Sequence, residues 1–196
     1  MGNIKKRILI FSLAYHPFIG GAEVAIKEIT DRLGSPAQGG QGFCFDMITV
    51  NLDGRQKKVE RIGNVNVYRI GSVKLSKYLF SWTAYQLAKK LHQKNNYNLI
   101  WAMMANQAGW AAKKFKKKFP SVKYLLTLQE GDSEWDIWFR TWFMRPIYKS
   151  IYRRADQIQV ISNFLKKRAE NLGAKCSIEV VPNGVKTQNA KRKTTV

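Results

Sequence analysis

The chain has 196 residues, 45% of them hydrophobic, so it is long enough to bury the core of one ordinary domain and does not resemble a disordered protein. Lys and Arg number 34 against 13 Asp and Glu, and the net charge of +21 indicates an anionic partner: lipid, nucleic acid or a phosphorylated small molecule. The two cysteines, Cys44 and Cys176, lie far apart in apolar stretches, which argues against a disulfide framework or a zinc site with four ligands.

The first predicted elements are an apolar strand that begins at Ile8 and a helix that opens directly after Gly20 and Gly21. The helix prediction rests on apolar residues at helical spacing, namely Ala22, Ala25, Ile26, Ile29 and Leu33, with Gly34 as its stop. The first N–H groups of a helix lack intrahelical partners, and glycine lets a ligand approach the main chain closely, so this turn is predicted to bind a phosphate or carboxylate. The alternative is that the glycines only permit a tight turn, since the dinucleotide and P-loop patterns are both absent.

Strands and helices alternate through the rest of the chain. The predicted strands cover 43–50, 64–70, 98–103, 122–128, 157–161 and 177–181; the predicted helices cover 80–94, 107–118, 135–154 with a break at Pro146, and a segment capped by Ser162 that reaches Leu172. This alternation predicts an α/β fold: a single Rossmann-like domain with a doubly wound, mostly parallel sheet. Ligands of such sheets bind beyond the carboxyl ends of the strands.

Basic residues are predicted on the outer faces of two helices. Lys89, Lys90 and His92 lie outside the apolar face of helix 80–94, and five lysines between positions 113 and 118 lie outside that of helix 107–118. A lysine near an anionic leaflet contributes about 1 kcal/mol to binding, so the run KKFKKK indicates either a membrane-facing surface or a solvated helix face. The aromatic and basic stretch 135–145 suits either a lipid interface or the cover of the sheet.

Four strand ends are predicted to meet at one crevice, at 15–21, 104–106, 129–135 and 162–163. The most polar of them contains three carboxylates within residues 129–134. These carboxylates indicate either a solvated loop that caps the next helix or a site for hydroxyl recognition and general-base catalysis.

Four motifs in order carry a family resemblance: Y-x-P-x-x-G-G-A-E, T-L-Q-E-G-D, A-D-Q-I-Q-V-I-S-N-F-L and V-V-P-N-G-V, spread from Tyr15 to Val185. Together they resemble the N-terminal domain of family 4 glycosyltransferases, whose GT-B architecture has two Rossmann-like domains. The resemblance covers residues 1–185, which is one half of such an enzyme. The family usually continues with an aspartate and a donor-binding domain, whereas Lys186 begins a basic polar tail, 186–196; we therefore expect the C-terminal donor-binding domain to be absent and supplied by a separate polypeptide, or lost by truncation.

The resemblance implies transfer of a sugar from a nucleotide sugar, as co-substrate, to a lipid-linked or cell-envelope glycan in polysaccharide biosynthesis. It implies that Gly20 and Gly21 face the donor diphosphate. The family commonly has a histidine where this chain has Gln129, which binds a hydroxyl but cannot shuttle a proton near neutral pH. Gln129 and Glu130 are the catalytic candidates, and the acceptor-binding candidates are Tyr15, His16, Asn106, Ser133, Glu134 and Trp135. No metal or resident cofactor is predicted, because helix dipoles and basic residues of the missing donor-binding half can neutralise the leaving diphosphate.

Location and alternative functions also follow from the sequence. No apolar run reaches the roughly 18 residues needed to span a bilayer, so we expect a cytoplasmic protein that lies peripherally at the membrane. One alternative function is a non-catalytic, membrane-associated binding subunit that presents an acceptor or tethers a partner. The other is a nucleic-acid-binding domain; against it, no helix-turn-helix, zinc-finger or RNP signature occurs, and the basic residues are spread over several helices.

Overall fold

The computed structural model describes residues 6–34, 42–71, 76–129 and 145–184. These residues form eight strands and five helices in the order β1 (Arg7–Phe11), α1 (Gly21–Gly34), β2 (Cys44–Val50), β3 (Val59–Ile62), β4 (Val65–Ile70), α2 (Ser76–Asn95), β5 (Leu99–Met103), α3 (Gln107–Lys118), β6 (Lys123–Leu128), α4 (Arg145–Arg154), β7 (Gln157–Val160), α5 (Asn163–Asn171) and β8 (Ser177–Val180). The predicted α/β fold is confirmed.

The strands form one sheet in the order β3-β4-β2-β1-β5-β6-β7-β8, and all neighbours are parallel except β3 and β4. The chain builds outward from β1 on one side and then returns to add β5 on its other side, so the strand order reverses between β1 and β5. Phe11 at the end of β1 pairs with Ala102 of β5. The segments that follow β1, β5 and β6 therefore leave the same edge of the sheet side by side, as a doubly wound sheet requires.

Each face of the sheet carries its own hydrophobic core. On one face, Ala22 and Ile26 of α1 pack against β1, β2, β4 and β5. On the other face, buried residues of α2, α3, α4 and α5 form a larger cluster with the strands. Gly109 lets α3 approach α4, because a Cβ at this position would lie 2.8 Å from Cγ2 of Ile151.

Helix α1 covers its face of the sheet with one residue that the periodicity did not predict. Leu33, predicted on the apolar face, is 38% exposed, whereas Thr30 is fully buried. The Thr30 hydroxyl donates to the carbonyl of Ile26 at 2.8 Å, so its burial leaves no unpaired polar group. The buried residues of α1 are therefore Ala22, Ile26 and Thr30, with the predicted Ile29 partly buried beside them and Leu33 outside this face.

Strand β3 was not predicted, because residues 51–63 read as a polar connection. Val59–Ile62 pairs antiparallel with β4 at the edge of the sheet, with Arg61 opposite Asn66. Its side chains are half-buried at best, since an edge strand with one neighbour and no helix above it buries little surface. Such a strand lacks the apolar alternation on which strand prediction depends.

Several basic residues on the outer faces of α2 and α3 are less exposed to solvent than predicted. His92 is half-buried and packs on Phe119 and Phe115, with ring centroids 4.5 and 5.2 Å away, and burial lowers its pKa. Of the five lysines of α3, Lys117 and Lys118 are exposed, while the other three are half-buried. The prediction that all five lysines face solvent was wrong, because the two helices pack side by side and α4 packs against α3.

A buried carboxylate joins several elements at the amino ends of the strands. Asp46 of β2 is 4% exposed and accepts hydrogen bonds from the Tyr97 hydroxyl at 2.6 Å, from Asn95 at 2.9 Å and from Asn66 at 2.8 Å. Burial, and then the hydrogen bond to Asp46, raise the pKa of Tyr97, so the phenol remains protonated and remains a donor. This cluster lies at the edge of the sheet opposite to the predicted crevice.

Candidate functional site

The turn between β1 and α1 is open to solvent. Gly20 caps the helix, since its carbonyl accepts the first intrahelical hydrogen bond from the N–H of Val24 at 3.1 Å. Gly20 and Gly21 are both exposed, and a Cβ built on Gly21 would meet nothing within 4 Å. The main chain at Gly21 is therefore uncovered, and the positive end of the helix dipole lies behind the first N–H groups of α1.

A carboxylate of the chain itself lies beside this turn. A Cβ on Gly20 would be 2.6 Å from Oε2 of Glu23, which belongs to the first turn of α1. The helix dipole favours a negative charge in this position. A phosphate bound at the turn would compete with the flexible Glu23 side chain for the same amide groups.

A buried arginine holds the turn in place. Arg69, at the end of β4, has a side chain that is only 2% exposed, and it pairs with Glu60 of β3. Its guanidinium also donates to the carbonyl oxygen of His16 at 2.6 Å and to that of Lys57 at 3.3 Å. The turn is thereby tied to the β3–β4 hairpin through a charge-assisted hydrogen bond, the stronger kind.

Tyr15 and His16, both predicted to bind an acceptor, lie in the turn that precedes Gly20. The Tyr15 side chain is 2% exposed, and burial, followed by the charge of Asp31, raises the pKa of its phenol to about 12. The His16 ring is half-buried and packs edge-on against Tyr15, with the centroids 5.4 Å apart. Because the Tyr15 ring is buried under the turn, it does not line the crevice in this structure.

The segment after β5 lies next to the turn across the reversal in strand order. Met104 adopts a positive φ of 70°, which is uncommon for a residue with a side chain, and its N–H donates to the carbonyl of Thr127 at 2.8 Å. Asn106 is half-buried and caps α3, since its Oδ1 accepts from the N–H of Ala108 at 2.8 Å. The capping bond uses the carbonyl oxygen of Asn106 and leaves the amide group available for a ligand.

Two of the motifs meet at the end of β6. The side chains of Gln129 and Asn183 form a reciprocal pair: Nε2 of Gln129 donates to Oδ1 of Asn183 at 3.2 Å, and Nδ2 of Asn183 donates to Oε1 of Gln129 at 3.3 Å. Each carboxamide keeps one further N–H and one further acceptor position. The pair thus presents both donors and acceptors at the exposed edge of the sheet.

The structure brings together part of the predicted site. Gly20, Gly21, Asn106 and Gln129 all lie at the carboxyl edge of the sheet, which places them on the predicted side of the molecule. The remaining predicted residues lie outside the described residues: Glu130, Ser133, Glu134 and Trp135. Across the four described segments, no group of three or more His, Cys, Asp or Glu residues is close enough to hold a metal ion.

Sequence reasoning missed two residues of this edge, Arg69 and Asn183. The signal for Arg69 was present, since it stands in the same register as the buried Val65 and Val67 of β4. The role of Asn183 had no local signal, because its partner is 54 residues away in the chain.

A doubly wound, mostly parallel sheet with an open helix N-terminus at the reversal of strand order defines a class of α/β domains whose ligands bind at this edge. The sequence model described as Glycosyltransferase Family 4 matches residues 19–189, and the chain belongs to this family. The match begins after Tyr15 and His16 and includes Gly20, Gly21 and Gln129.

Solved structures show the same fold. A sucrose-phosphate synthase from Thermosynechococcus elongatus matches with a TM-score of 0.72 and 19% identity over 92% of this chain and 49% of its own. A shorter form of that protein matches with a TM-score of 0.68 and 18% identity, over 92% of this chain and 91% of its own. The lipopolysaccharide outer core galactosyltransferase WaaB matches with a TM-score of 0.60 and 16% identity, over 92% of this chain and 46% of its own.

The chain therefore spans about half the length of the full-length structures it matches, and its fold is one half of a GT-B glycosyltransferase. A search of curated proteins found no match. Among the helices of the described segments, none has the length and hydropathy needed to cross a bilayer.

Proposed function

We propose that this chain is the acceptor-side half of a glycosyltransferase that moves a sugar from a nucleotide sugar to a lipid-linked or cell-envelope glycan at the cytoplasmic face of a membrane. The donor-binding half comes from another polypeptide or from a further part of the same protein. The family supports the reaction class, and the half-length match to GT-B structures supports the need for a second half.

The open turn at Gly20 and Gly21 is the observation that carries this proposal. Its exposed amides and helix dipole can stabilise the diphosphate of a donor that the other half holds. This edge also carries the buried guanidinium of Arg69, which fixes the turn through the main chain of His16. A rigid set of donors is what stabilises the charge that develops on a leaving diphosphate.

Gln129 and Asn183 have a different role in the proposal. Their carboxamides offer hydrogen bonds to sugar hydroxyls and cannot transfer a proton near neutral pH. The chain's contribution at these positions is then to orient the sugar and the acceptor hydroxyl, and orientation alone lowers the barrier of a bimolecular transfer.

The proposal is tested with radiolabelled nucleotide sugars and a membrane lipid extract as acceptor. The chain is assayed alone and with the product of the adjacent gene, and label is followed into the lipid fraction. We expect transfer only in the combined sample, because the donor half must close the site. Transfer by this chain alone would contradict the need for a second half, and label in no combination would favour a non-catalytic binding subunit.

A further inference from the structure

Charge is distributed unequally between the two faces of the sheet. The helices α2, α3 and α4 contain four, five and four Lys or Arg residues respectively, and no Asp or Glu. On the opposite face, α1 carries Glu23, Glu28 and Asp31 beside Lys27 and Arg32. Helices α2, α3 and α4 therefore form a layer with 13 positive charges and no negative ones, and α5 on the same face adds Lys166, Lys167, Arg168 and Glu170.

These three helices form one continuous layer. His92 of α2 packs on Phe115 of α3 with ring centroids 5.2 Å apart. Nζ of Lys113 in α3 donates to the hydroxyl of Ser150 in α4 at 2.8 Å. We call the solvent side of this layer the α2–α4 surface.

Some lysines of the layer are committed to structural contacts. Nζ of Lys116 contacts the carboxylate of Asp156 at 2.7 Å and the carbonyl oxygens of Pro120 and Val122. Lys113 is held by Ser150 and is half-buried. The cations that remain exposed on the α2–α4 surface are Lys90, Lys94, Lys117, Lys118, Arg153 and Arg154.

Large apolar side chains are exposed on the same surface. Tyr78, Leu79 and Trp82, in the first half of α2, are 61%, 65% and 59% exposed. Tyr78, Trp82, Tyr85 and Lys89 follow one another at helical spacing along a single stripe, and Nζ of Lys89 lies 4.8 Å from the centroid of the Tyr85 ring. The stripe is apolar and aromatic where α2 begins and basic where it ends.

We propose that the α2–α4 surface binds an anionic lipid bilayer, with Tyr78, Leu79 and Trp82 inserted among the headgroups. Trp and Tyr side chains prefer the interface between lipid and water, and lysines and arginines around them are attracted to anionic headgroups. A layer without carboxylates meets no repulsion from such a membrane. The charge of the surface and the chemistry of its apolar residues thus match the same partner.

A nucleic acid fits these observations less well. Stacking on bases needs aromatic rings interleaved with the cations that hold the phosphates. On α2, the aromatic residues precede the exposed lysines by about two helical turns, and the most exposed of the apolar side chains, Leu79, has no ring to stack. A bilayer interface accepts both ends of the stripe, because aromatic side chains and cations each bind at the headgroup level without needing the other as a neighbour.

This surface is placed to serve the proposed function. Helices α2 and α3 begin at the carboxyl edge of the sheet, so Tyr78 and Trp82 lie on the same side of the molecule as the Gly20–Gly21 turn. Membrane contact here would bring the mouth of the crevice to the plane in which lipid-linked acceptors diffuse. Only this last point rests on the proposed function. The binding of vesicles can be measured without any transfer of sugar.

Sedimentation with vesicles tests the proposal with charge-matched variants. The triple variant Lys90→Gln, Lys117→Gln, Lys118→Gln removes three exposed cations from the α2–α4 surface, and the control Arg55→Gln, Lys57→Gln, Lys58→Gln removes three exposed cations from the hairpin side. We expect the first triple variant to bind vesicles of phosphatidylglycerol and phosphatidylcholine about a hundredfold more weakly than the original chain, since each cation near an anionic leaflet strengthens binding about fivefold. The control should bind nearly as well as the original chain.

A second pair of variants tests the apolar contact. Trp82→Ala should weaken binding about tenfold and retain this loss at high salt, because it removes apolar rather than electrostatic contact. Phe164→Ala is the control, since Phe164 of α5 is 57% exposed but lies outside the surface. The two triple variants and Trp82→Ala should unfold at the urea concentration of the original chain, because the changed side chains are exposed. Phe164→Ala also removes the contact of its ring with the guanidinium of Arg168, 4.8 Å away, and should unfold at a slightly lower concentration.

The outcomes separate the inference from the proposed function. Equal losses in the two triple variants, binding to phosphatidylcholine alone as strong as to the anionic vesicles, or tighter binding of a single-stranded oligonucleotide would each overturn the membrane surface. Vesicle binding with the expected pattern, in a protein that transfers no sugar, would support the surface and count against the proposed enzyme.

Discussion

Replacement of Gly21 by alanine should weaken the binding of a nucleoside diphosphate about tenfold and leave the fold at least as stable. Gly21 is the first residue of α1, its φ lies outside the left-handed region, and a Cβ there would meet nothing within 4 Å. Alanine therefore fits without strain and restricts the unfolded chain, which stabilises a protein by about 0.4–1 kcal/mol. The same methyl group would keep a phosphate from the main-chain amides, and loss of one charge-assisted hydrogen bond corresponds to about tenfold in affinity. Calorimetric titration gives the affinity, and urea unfolding gives the stability.

Gly109→Ala is the matched control for this substitution. Its Cβ would lie 2.8 Å from Cγ2 of Ile151 and 3.2 Å from the carbonyl oxygen of Met104. Overpacking of this kind costs about 1–3 kcal/mol, so this variant should lose stability and retain its affinity. Unchanged affinity in Gly21→Ala would support the alternative that the glycines only permit a tight turn.

Asp46→Ala should be the most destabilising single substitution considered, with a loss of about 3 kcal/mol in the free energy of unfolding. The alanine would leave the Tyr97 hydroxyl and the amides of Asn66 and Asn95 without the buried acceptor that they share. The Tyr97 hydroxyl is buried, and leaving it unpaired costs about 1–3 kcal/mol, whereas water can reach the exposed Asn66 and the half-buried Asn95 and reduces their cost. The midpoint of urea unfolding should fall by about 1–2 M.

Two control measurements show whether Asp46→Ala affects stability through its buried cluster and not through loss of any carboxylate or of ligand binding. Asp53→Ala removes an exposed carboxylate of the loop after β2 and should leave the midpoint unchanged. Ligand affinity of the folded Asp46→Ala protein should match that of the original chain, because Asp46 lies at the amino ends of the strands. A midpoint for Asp46→Ala equal to that of the original chain would mean that the hydrogen-bonded cluster contributes no net stability.

Most of the fold could be predicted from the sequence, because buried strands and helices leave different periods of apolar residues. Strands β1, β2 and β5 are almost entirely buried and are rich in apolar residues, although Asp46 interrupts the apolar run of β2. Ser162 shows why helix starts were predictable too, since its hydroxyl accepts from the N–H of Leu165 at 3.3 Å as a capping serine does. Strand β3 was missed because its stability comes from pairing with β4 rather than from burial of its own side chains.

The candidate site was predictable in position and less so in detail. The order of parallel strands determines which segments share an edge of the sheet. Gly20, Asn106 and Gln129 could therefore be assigned to one side of the sheet from the sequence alone. The burial of Tyr15 could not be predicted, because a tyrosine in a turn is usually accessible, whereas the chain reversal folds this ring beneath the turn. The pairing of Gln129 with Asn183 depends on tertiary contact between distant segments, for which a single sequence has no signal.

The lysines of α3 are a second case in which a single sequence does not reveal tertiary contacts. The sequence placed the run 113–118 on one helix, but only packing decides that Lys116 contacts Asp156 while Lys117 and Lys118 face solvent. It is likewise the topology that places α2, α3 and α4 on one face of the sheet and α1 on the other. The sequence alone therefore could not show the difference in charge between the two faces of the sheet, on which the membrane inference depends.

The central claim is that the amides at the start of α1 receive the phosphates of a donor, and amide chemical shifts measured during titration with a nucleoside diphosphate test it most directly. We expect saturable shifts of the Gly21, Ala22 and Glu23 amides at about millimolar ligand, the affinity of a half-site that lacks its donor-binding partner. Shifts confined to the exposed lysines of α2 and α3, with the three amides unmoved, would contradict the claim.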